Sequence, residues 1–131
     1  MEFSKKRIGS LGEDIACRYL KNKKFVILER NFIKTWSGAE KCEIDVIARK
    51  ADIVHFVEVK TLLAKGGDSS NNFSSAFSKV DYLKKRKIEK AAEYWIGKNK
   101  IPLESKFQID VVAIKISNTF SDAKIKVIEN I

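Results

Sequence analysis

The sequence predicts an α/β domain in which a mixed β-sheet is flanked by helices. Apolar residues recur at helical spacing in two long segments, and five shorter segments are rich in residues that favour strands. In chain order these segments are α-β-β-β-α-β-β, an order that is typical of helices covering a sheet. With 131 residues, 44% of them hydrophobic, the chain can bury a core as one domain spanning residues 1–131.

The first helix is predicted over residues 4–22, where Ser4 is in position to cap it. Its apolar face consists of Ile8, Leu11, Ile15 and Tyr19. Glu13 lies at the margin of this face, beside Gly9 and Gly12. Glycine lowers helix stability, so its presence here suggests that another segment approaches closely. Glu13 is then either an oxygen ligand that leans over the sheet edge or an ordinary boundary glutamate.

Three strands follow this helix. They are predicted at residues 25–29, 43–49 and 53–61. The polar residues 31–41 form the connection between the first two strands. The short segment Lys50-Ala51-Asp52 has the composition of a turn, so the second and third strands are predicted to form a hairpin.

A loop, a long helix and two more strands complete the prediction. Residues 64–75 are rich in Gly, Ser and Asn, which is typical of a mobile loop. The helix is predicted from Phe77 to Gly97, with Gly97 as its C-terminal signal, and Pro102 lies in the following loop. The last two strands are predicted at residues 107–116 and 124–128.

The net charge of +9 favours a polyanionic partner. The basic residues form runs at 5–7, 21–24 and 84–87. A charge run is usually a solvated helix face, so charge alone does not establish nucleic-acid binding. No apolar run is long enough to span a membrane or resembles a signal peptide, so we expect a cytoplasmic protein without a membrane partner. Cys17 and Cys42 lack metal-ligand spacing, which argues against structural zinc.

Two of the predicted strands carry charge where apolar residues would fold better. Glu43 and Asp45 alternate in the second strand, and Glu58 and Lys60 alternate in the third, so each pair shares a face. Burying unpaired ionised groups is costly. The acids therefore predict a site for a hard cation, with Asp45 and Glu58 as oxygen ligands. Such a cation activates water and polarises the phosphoryl group during phosphodiester hydrolysis.

Lys60 is the first candidate catalytic lysine. It would lie beside the scissile phosphate, where it could orient or help deprotonate the attacking water or offset developing charge. The alternative is that Lys60 forms a structural ion pair with Glu58 or Asp45. The spacing acid…(D/E)-x-K is common by chance, so it does not decide between the two.

Lys84 is the second candidate catalytic lysine. It falls in the middle of the apolar stripe of the second long helix, so it either meets the acid cluster or extends to the helix edge. Its outward-pointing neighbours are candidate nucleic-acid contacts together with Lys84 itself. These neighbours are Lys85, Arg86 and Lys87.

His55 is the only histidine, but we interpret it as structural. It shares a face with Val57 and points away from Glu58. Asp110 lies in an apolar strand and is expected to be paired inside the fold. Core or rim positions, rather than base-stacking positions, are expected for Trp36 and Trp95.

Taken together, these motifs resemble the bacterial YraN family over nearly the whole chain. The matching stretches are Gly9…Gly12-Glu13…Ala16…Tyr19-Leu20, Arg30-Asn31, Glu43-Ile44-Asp45-Val46-Ile47-Ala48, Phe56-Val57-Glu58-Val59-Lys60-Thr61, Lys84…Ile88…Ala91-Ala92 and Asp110-Val111-Val112. The chain departs from the family pattern at four positions, where Gly, Arg, Arg and Phe are usual. These positions are Cys42, Leu62, Gln108 and Ile109.

That family looks like a member of the restriction-endonuclease-like superfamily, which carries the PD-(D/E)xK signature, and is related to archaeal Holliday-junction resolvases. The resemblance implies a restriction-endonuclease-like fold with Asp45, Glu58 and Lys60 as the core triad. It also implies Glu13 as an accessory metal ligand, and Lys84 matches the family's lysine on the second helix. By analogy with the resolvases, it suggests a homodimer.

The leading hypothesis is therefore a Mg²⁺- or Mn²⁺-dependent DNA endonuclease, with branched or otherwise structured DNA as a candidate substrate. The main alternative is a non-catalytic nucleic-acid-binding protein that retains the nuclease fold. A third hypothesis is a structural or adaptor protein whose ion network only fixes the fold. Metal binding separates the first two hypotheses from the third, and cleavage separates the first from the second.

Overall fold

A computed structural model describes residues 4–64, 73–102 and 104–131. The helices are α1 (Lys5–Asn22), α2 (Ser74–Phe77) and α3 (Tyr82–Lys98). The strands are β1 (Val26–Thr35), β2 (Lys41–Lys50), β3 (Ile53–Leu63), β4 (Lys106–Ile116) and β5 (Ala123–Ile128). The α/β class and the five predicted strands are confirmed. None of the described helices combines the length and apolar character needed to cross a membrane.

The five strands form one mixed sheet in the order β1-β2-β3-β4-β5. Neighbouring strands are antiparallel except for β3 and β4, which are parallel. Parallel neighbours need a crossover connection, and α2 and α3 lie in that connection. The predicted hairpin is confirmed, because β2 and β3 pair across the turn at Ala51, which has a φ of 53°.

Each face of the sheet packs against one helix. The buried cluster on the α1 side includes Ala16, Cys17, Leu20, Val46, Ala48, Val57 and Val112. The buried cluster on the α3 side includes Ile44, Ile47, Phe56, Ile88, Ala91, Trp95 and Ile109. Alternate residues of β3 enter opposite clusters, so the predicted two-residue alternation of this strand is confirmed.

The prediction for β1 was too short. The strand continues to Thr35, because Arg30 pairs with Val46 and Thr35 pairs with Lys41. The polar connection therefore shrinks to residues 36–40. Backbone pairing holds this edge strand, and pairing does not require apolar side chains, so hydrophobic pattern alone could not reveal its second half.

The prediction of one helix from Phe77 to Gly97 was wrong at its start, while its end lies within one residue of the observed end at Lys98. The chain forms the short helix α2 and then α3, whose first turn is capped by Asp81 through a 2.9 Å hydrogen bond from the Lys84 N–H. Gly97 lies inside the last turn of α3, and Asn99 is the C-cap. The predicted mobile loop at 64–75 falls mainly outside the described residues, and its last two residues begin α2.

Helix α1 begins and packs as expected at two positions. Ser4 caps it by accepting a hydrogen bond from the Arg7 N–H at 3.2 Å. A Cβ atom at Gly12 would overlap the Thr61 side chain, so glycine lets α1 approach β3 next to Lys60. Gly9 has no such role, because nothing lies within 4 Å of the position of its Cβ.

Candidate active site

Glu58 lies in the middle of β3, and its side chain is only 6% exposed. The Nζ atoms of Lys60 and Lys84 lie 3.3 and 3.7 Å from its Oε1 atom. Its Oε2 atom is buried and has no hydrogen-bond partner among the described residues. Buried polar atoms in proteins are nearly always hydrogen-bonded, so an unpartnered oxygen in a charged cluster is an acceptor that a ligand could satisfy.

Asp45 lies where β2 separates from β3. The pairing of the two strands extends along the chain as far as Val46 opposite Val57. Beyond that pair, the Val59 N–H donates a 2.7 Å hydrogen bond to Oδ2 of Asp45, so a side chain replaces strand-to-strand pairing. Strict alternation also fails here, because Ile44 belongs to the α3-side cluster and Val46 to the α1-side cluster. Sequence periodicity could not predict this geometry.

The environment of Asp45 favours its protonated form. Burial and then the negative charge of Glu58 raise the pKa of Asp45 to about 8, against the lowering effect of the Val59 N–H. In the part of the chain that the structure describes, no lysine forms an ion pair with Asp45, and both nearby lysines contact Glu58 instead. Without a cation, the two acids therefore resist joint ionisation.

Lys60 and Lys84, the two candidate catalytic lysines, both contact Glu58. The Lys60–Glu58 ion pair exists, as the structural alternative for Lys60 expects. A purely structural ion pair does not explain why one oxygen of Glu58 has no partner among the described residues, or why the pKa of Asp45 is raised. Lys84 meets the acid cluster from α3 instead of extending to the helix edge.

Glu13 reaches from α1 to the edge strand β1. Its Oε1 atom accepts a 2.6 Å hydrogen bond from the Asn31 amide, which also lies 3.1 Å from Oε1 of Glu43. Next to it, Arg30 forms a 2.9 Å ion pair with Asp14. Two successive residues of β1 therefore hold two successive residues of α1.

Sequence reasoning missed the linking role of Asn31. Its φ of 55° is in the left-handed region, which is rare within a strand and which Asn tolerates better than most residues. The sequence did offer one signal for this role, because Asn is among the residues that most readily adopt the left-handed backbone conformation. Through this link, Glu13 and Glu43 stay close enough to Asp45 to raise its pKa further.

The side chains alone give an incomplete metal-ligand set. Within residues 4–64, 73–102 and 104–131, no three His, Cys, Asp or Glu side chains converge as a metal cluster. The available ligands are the carboxylates of Asp45 and Glu58, with Glu13 held nearby by Asn31. Mg²⁺ is commonly bound by one or two carboxylates, with water and substrate phosphate completing its shell. The unpartnered oxygen of Glu58 fits a cation of this kind.

The three remaining predicted nucleic-acid residues have different surroundings. Arg86 lies 4.0 Å from the Glu89 carboxylate, across the helix surface. Lys87 is exposed and follows Lys84 by three positions, so the two lysines are neighbours on the surface of α3. Lys85 is half-buried on α3. The run at 84–87 therefore does not form one continuous basic face.

His55 and Asp110 form a second polar cluster, on the α1 side of the sheet. His55 Nδ1 lies 2.6 Å from Oδ2 of Asp110, and both side chains are buried. Oδ1 of Asp110 accepts hydrogen bonds from Gln108 at 2.8 Å and from the Asn130 N–H at 2.9 Å. Burial raises the pKa of Asp110, but these hydrogen bonds together lower it below its ordinary value. The prediction that Asp110 is paired inside the fold is confirmed, and His55 points away from Glu58 as expected.

Comparison with known proteins identifies relatives of nearly full length. The model of Uncharacterised protein family UPF0102 matches residues 12–114. The chain is 40% identical to a UPF0102 protein of Campylobacter lari over 131 residues, which cover 100% of this chain and 98% of that protein. It is 35% identical to one from Clostridium botulinum strain 657 over 130 residues, covering 99% and 97%. It is 41% identical to one from Campylobacter jejuni subsp. doylei over 107 residues, covering 82% of each.

Proposed function

The chain belongs to the UPF0102 family, and we propose that it is a Mg²⁺- or Mn²⁺-dependent endonuclease that hydrolyses phosphodiester bonds in DNA. One observation carries the proposal. The buried carboxylate of Glu58 has one oxygen beside two ammonium groups and another with no partner among the described residues. The neighbouring Asp45, with its pKa raised to about 8, supplies the second carboxylate.

The restriction-endonuclease-like fold and the PD-(D/E)xK assignment of Asp45, Glu58 and Lys60 are part of this proposal. The mixed five-stranded sheet between α1 and α3 supports the fold. The placement of Glu58 and Lys60 on one face of β3, with Asp45 on β2 just beyond the last β2–β3 pair, supports the triad.

Asp45 and Glu58 would hold the cation, because they are the two carboxylates that burial brings together. When bound, Mg²⁺ or Mn²⁺ supplies Lewis-acid polarisation of the phosphate and a more acidic water. The Val59 N–H keeps Asp45 oriented toward β3. The neighbouring Glu13 is held in place by Asn31 and adds negative charge to the site.

Lys60 and Lys84 would act on the phosphate and the nucleophile. Their ammonium groups approach the same Glu58 oxygen from a strand and from a helix. A phosphate bound next to Glu58 would therefore meet positive charge from two elements, which stabilises the charge that develops during hydrolysis. Lys60, on the strand that carries Glu58, would orient the attacking water.

A cleavage screen tests the proposal directly. Duplex, forked and four-way DNA are incubated with Mg²⁺, with Mn²⁺ and with EDTA, and binding is measured in parallel at low salt. We expect cleavage that requires the metal. Binding to all substrates without cleavage of any would replace the proposal with the non-catalytic alternative. The absence of binding at low salt would exclude both nucleic-acid functions.

A further inference from the structure

Lysine and aromatic side chains from α3 and from the end of β1 form a surface next to the candidate active site. This lysine–aromatic strip consists of Lys34, Trp36, Lys84, Lys87, Lys90 and Tyr94. We propose that the strip binds an unpaired strand of the nucleic-acid substrate, so that the preferred substrate carries a single-stranded segment beside the cleaved bond. This inference rests on the proposed nuclease function and adds the class of substrate.

The far end of the strip is built from cations that lie over aromatic rings. Lys34 Nζ lies 3.9 Å from the centroid of the Tyr94 ring and 6.0 Å from that of Trp36. Lys90 Nζ lies 5.1 Å from the centroid of the Trp36 ring. Tyr94 is 45% exposed and stacks on Phe32. Trp36 is half-buried and packs against the α3-side cluster, which is the expected rim position, and the proposal adds the base-stacking role that the sequence did not favour.

The strip is continuous with the candidate active site. At its near end, Lys84 Nζ lies 3.7 Å from the Glu58 carboxylate. Lys87 follows Lys84 by three positions on α3, so the two lysines are neighbours on the helix surface. From Lys84 to Tyr94 the helix rises by about 15 Å, at roughly 1.5 Å per residue. The strip is therefore long enough for several nucleotides that lead away from the site.

The charge on the surface of α3 is divided unevenly. Of the four lysines in the strip, only Lys84 forms an ion pair among the described residues, with Glu58 at 3.7 Å. Elsewhere on the helix surface, Arg86 is partly neutralised by Glu89 at 4.0 Å. A polyanion would therefore follow the strip in preference to the Arg86 side.

The combination of rings and ammonium groups favours an unpaired strand over a duplex. Bases stack on aromatic side chains while phosphates contact lysines, and this pairing of contacts is typical of single-strand binding. A base that covers the Tyr94 ring would displace the Lys34 ammonium from the ring toward the adjoining phosphate. A duplex keeps the faces of its bases inside its own stack, so it could use the charge of the strip but not its rings.

Fluorescence anisotropy in EDTA, where cleavage does not interfere, tests the role of the rings. The probes are a labelled oligothymidylate of about 12 nucleotides, an abasic oligomer of equal length and charge, and a duplex. Tyr94→Leu should weaken binding of oligothymidylate roughly fivefold or more, because stacking is worth about 1–3 kcal/mol per base. It should leave binding of the abasic oligomer and the duplex nearly unchanged. Tyr94→Phe, which keeps the ring, should bind as the wild type does.

Tyr82→Leu is the matched control, since Tyr82 is also on α3 and is 71% exposed but does not belong to the strip. It should leave all three affinities unchanged. Equal loss for the oligothymidylate and the abasic oligomer, or equal loss for Tyr82→Leu, would overturn the inference. So would an equal loss of duplex binding, which would make the strip a duplex-binding surface.

A salt titration tests the role of the lysines. Lys90→Gln should reduce the slope of log K against log salt for the oligothymidylate by about 0.7, the value expected for one phosphate contact on a single strand. Lys126→Gln, on the opposite edge strand β5, should leave the slope unchanged. Equal slopes for the wild type and Lys90→Gln would remove this lysine from the path and contradict the proposed strip.

The two proposals fail in different ways. If the strip variants bind oligothymidylate as the wild type does while the wild type cleaves DNA with metal, only the substrate inference is wrong. If the wild type cleaves nothing with either metal, the nuclease proposal fails, and the binding results in EDTA still decide whether the strip recognises an unpaired strand.

Discussion

Two carboxylates buried on opposite faces of the sheet, Glu58 in β3 and Asp110 in β4, differ in how their oxygens are satisfied. Asp110 has a partner on each oxygen, from His55, Gln108 and the Asn130 N–H. Glu58 has two lysines near one oxygen and no partner on the other within the described residues.

This difference separates a structural polar cluster from a candidate site. Burial of charge is common to both clusters, so burial does not distinguish them. A cluster that only stabilises the fold saturates its hydrogen-bonding capacity, because each unsatisfied atom costs stability. Glu58 and Asp45 keep unsatisfied capacity and mutual repulsion, which a cation would relieve.

The largest expected effect is on catalysis. Lys60→Ala should reduce cleavage by roughly 10²–10⁴-fold, the usual contribution of a group that assists proton transfer, while DNA binding stays nearly intact. His55→Ala should cleave DNA at the wild-type rate but unfold more easily, because His55 points to the other face of the sheet and pairs there with Asp110. Single-turnover cleavage of one substrate by both variants is the measurement. A folded but inactive His55→Ala protein beside an active Lys60→Ala protein would reverse the two roles.

The next effect concerns the cluster of Asp110 and His55, in which both carboxylate oxygens of Asp110 have partners. Asp110→Ala should lower the free energy of unfolding by roughly 3–5 kcal/mol, because it leaves three donors without their buried acceptor. Mg²⁺ or Mn²⁺ should stabilise the variant as much as the wild type. Denaturant unfolding with EDTA and with metal measures both quantities. A loss below about 1 kcal/mol would show that the Asp110 cluster does not stabilise the fold as described.

The cluster of Asp45 and Glu58 should respond to the loss of an acid in the opposite way. Asp45→Asn should be at least as stable as the wild type in EDTA at pH 8, because it removes a charge that repels Glu58. The wild type should gain about 2.7 kcal/mol in metal at 100 times the dissociation constant, and Asp45→Asn should lose most of that gain. Thermal melts of both proteins with EDTA and Mn²⁺ decide this. A large loss in EDTA without a metal response in the wild type would identify a structural ion network instead.

The pH dependence should be the smallest effect per unit of pH, and it has opposite signs for the two clusters. The folded protein holds the Asp45 proton more tightly than the unfolded chain does, so the stability from Asp45 is complete below its ordinary pKa of 3.8 and is lost as pH rises toward 8. The slope is at most about 1.4 kcal/mol per pH unit. Asp110, whose pKa is lowered, contributes stability above 3.8 and loses it as pH falls further.

Stability curves in EDTA from pH 3 to pH 9 check these signs. With Asp45→Asn, the decline of the free energy of unfolding between about pH 4 and pH 8 should become shallower, and the loss of stability below pH 4 should be unchanged. With Asp110→Asn, the loss of stability below pH 4 should change, and the decline at higher pH should remain. Identical curves for the wild type and Asp45→Asn would show that Asp45 is not protonated in the folded protein.

The parts of the fold and site that sequence predicted are those set by regular alternation. Strand β3 alternates without interruption, so the opposite directions of His55 and Glu58 could be predicted from their positions alone. The same periodicity on α3 placed Lys84 toward the sheet, and the contact with Glu58 confirms it.

The remaining parts depend on contacts between residues distant in sequence. The hydrogen bond from Val59 to Asp45 forms only because β2 leaves β3 at that point. The link from Asn31 to Glu13 joins an edge strand to a helix across 18 positions. No hydrophobic period encodes either contact, which explains why the prediction for Glu13 stayed open and the role of Asn31 was missed.

The β2–β3 hairpin also has a consequence for the order of folding. Asp45, Glu58 and Lys60 lie on two adjacent antiparallel strands joined by a short turn, so they meet when a local hairpin closes, an event that takes about 1–10 μs. Lys84 joins them only after the longer crossover between β3 and β4 is in place, and longer loops close more slowly. We therefore expect φ-values from kinetic unfolding to be higher for Val57→Ala in the hairpin than for Ile88→Ala in α3. The acids would then assemble before the second lysine arrives, with Lys60 as their first neutralising charge.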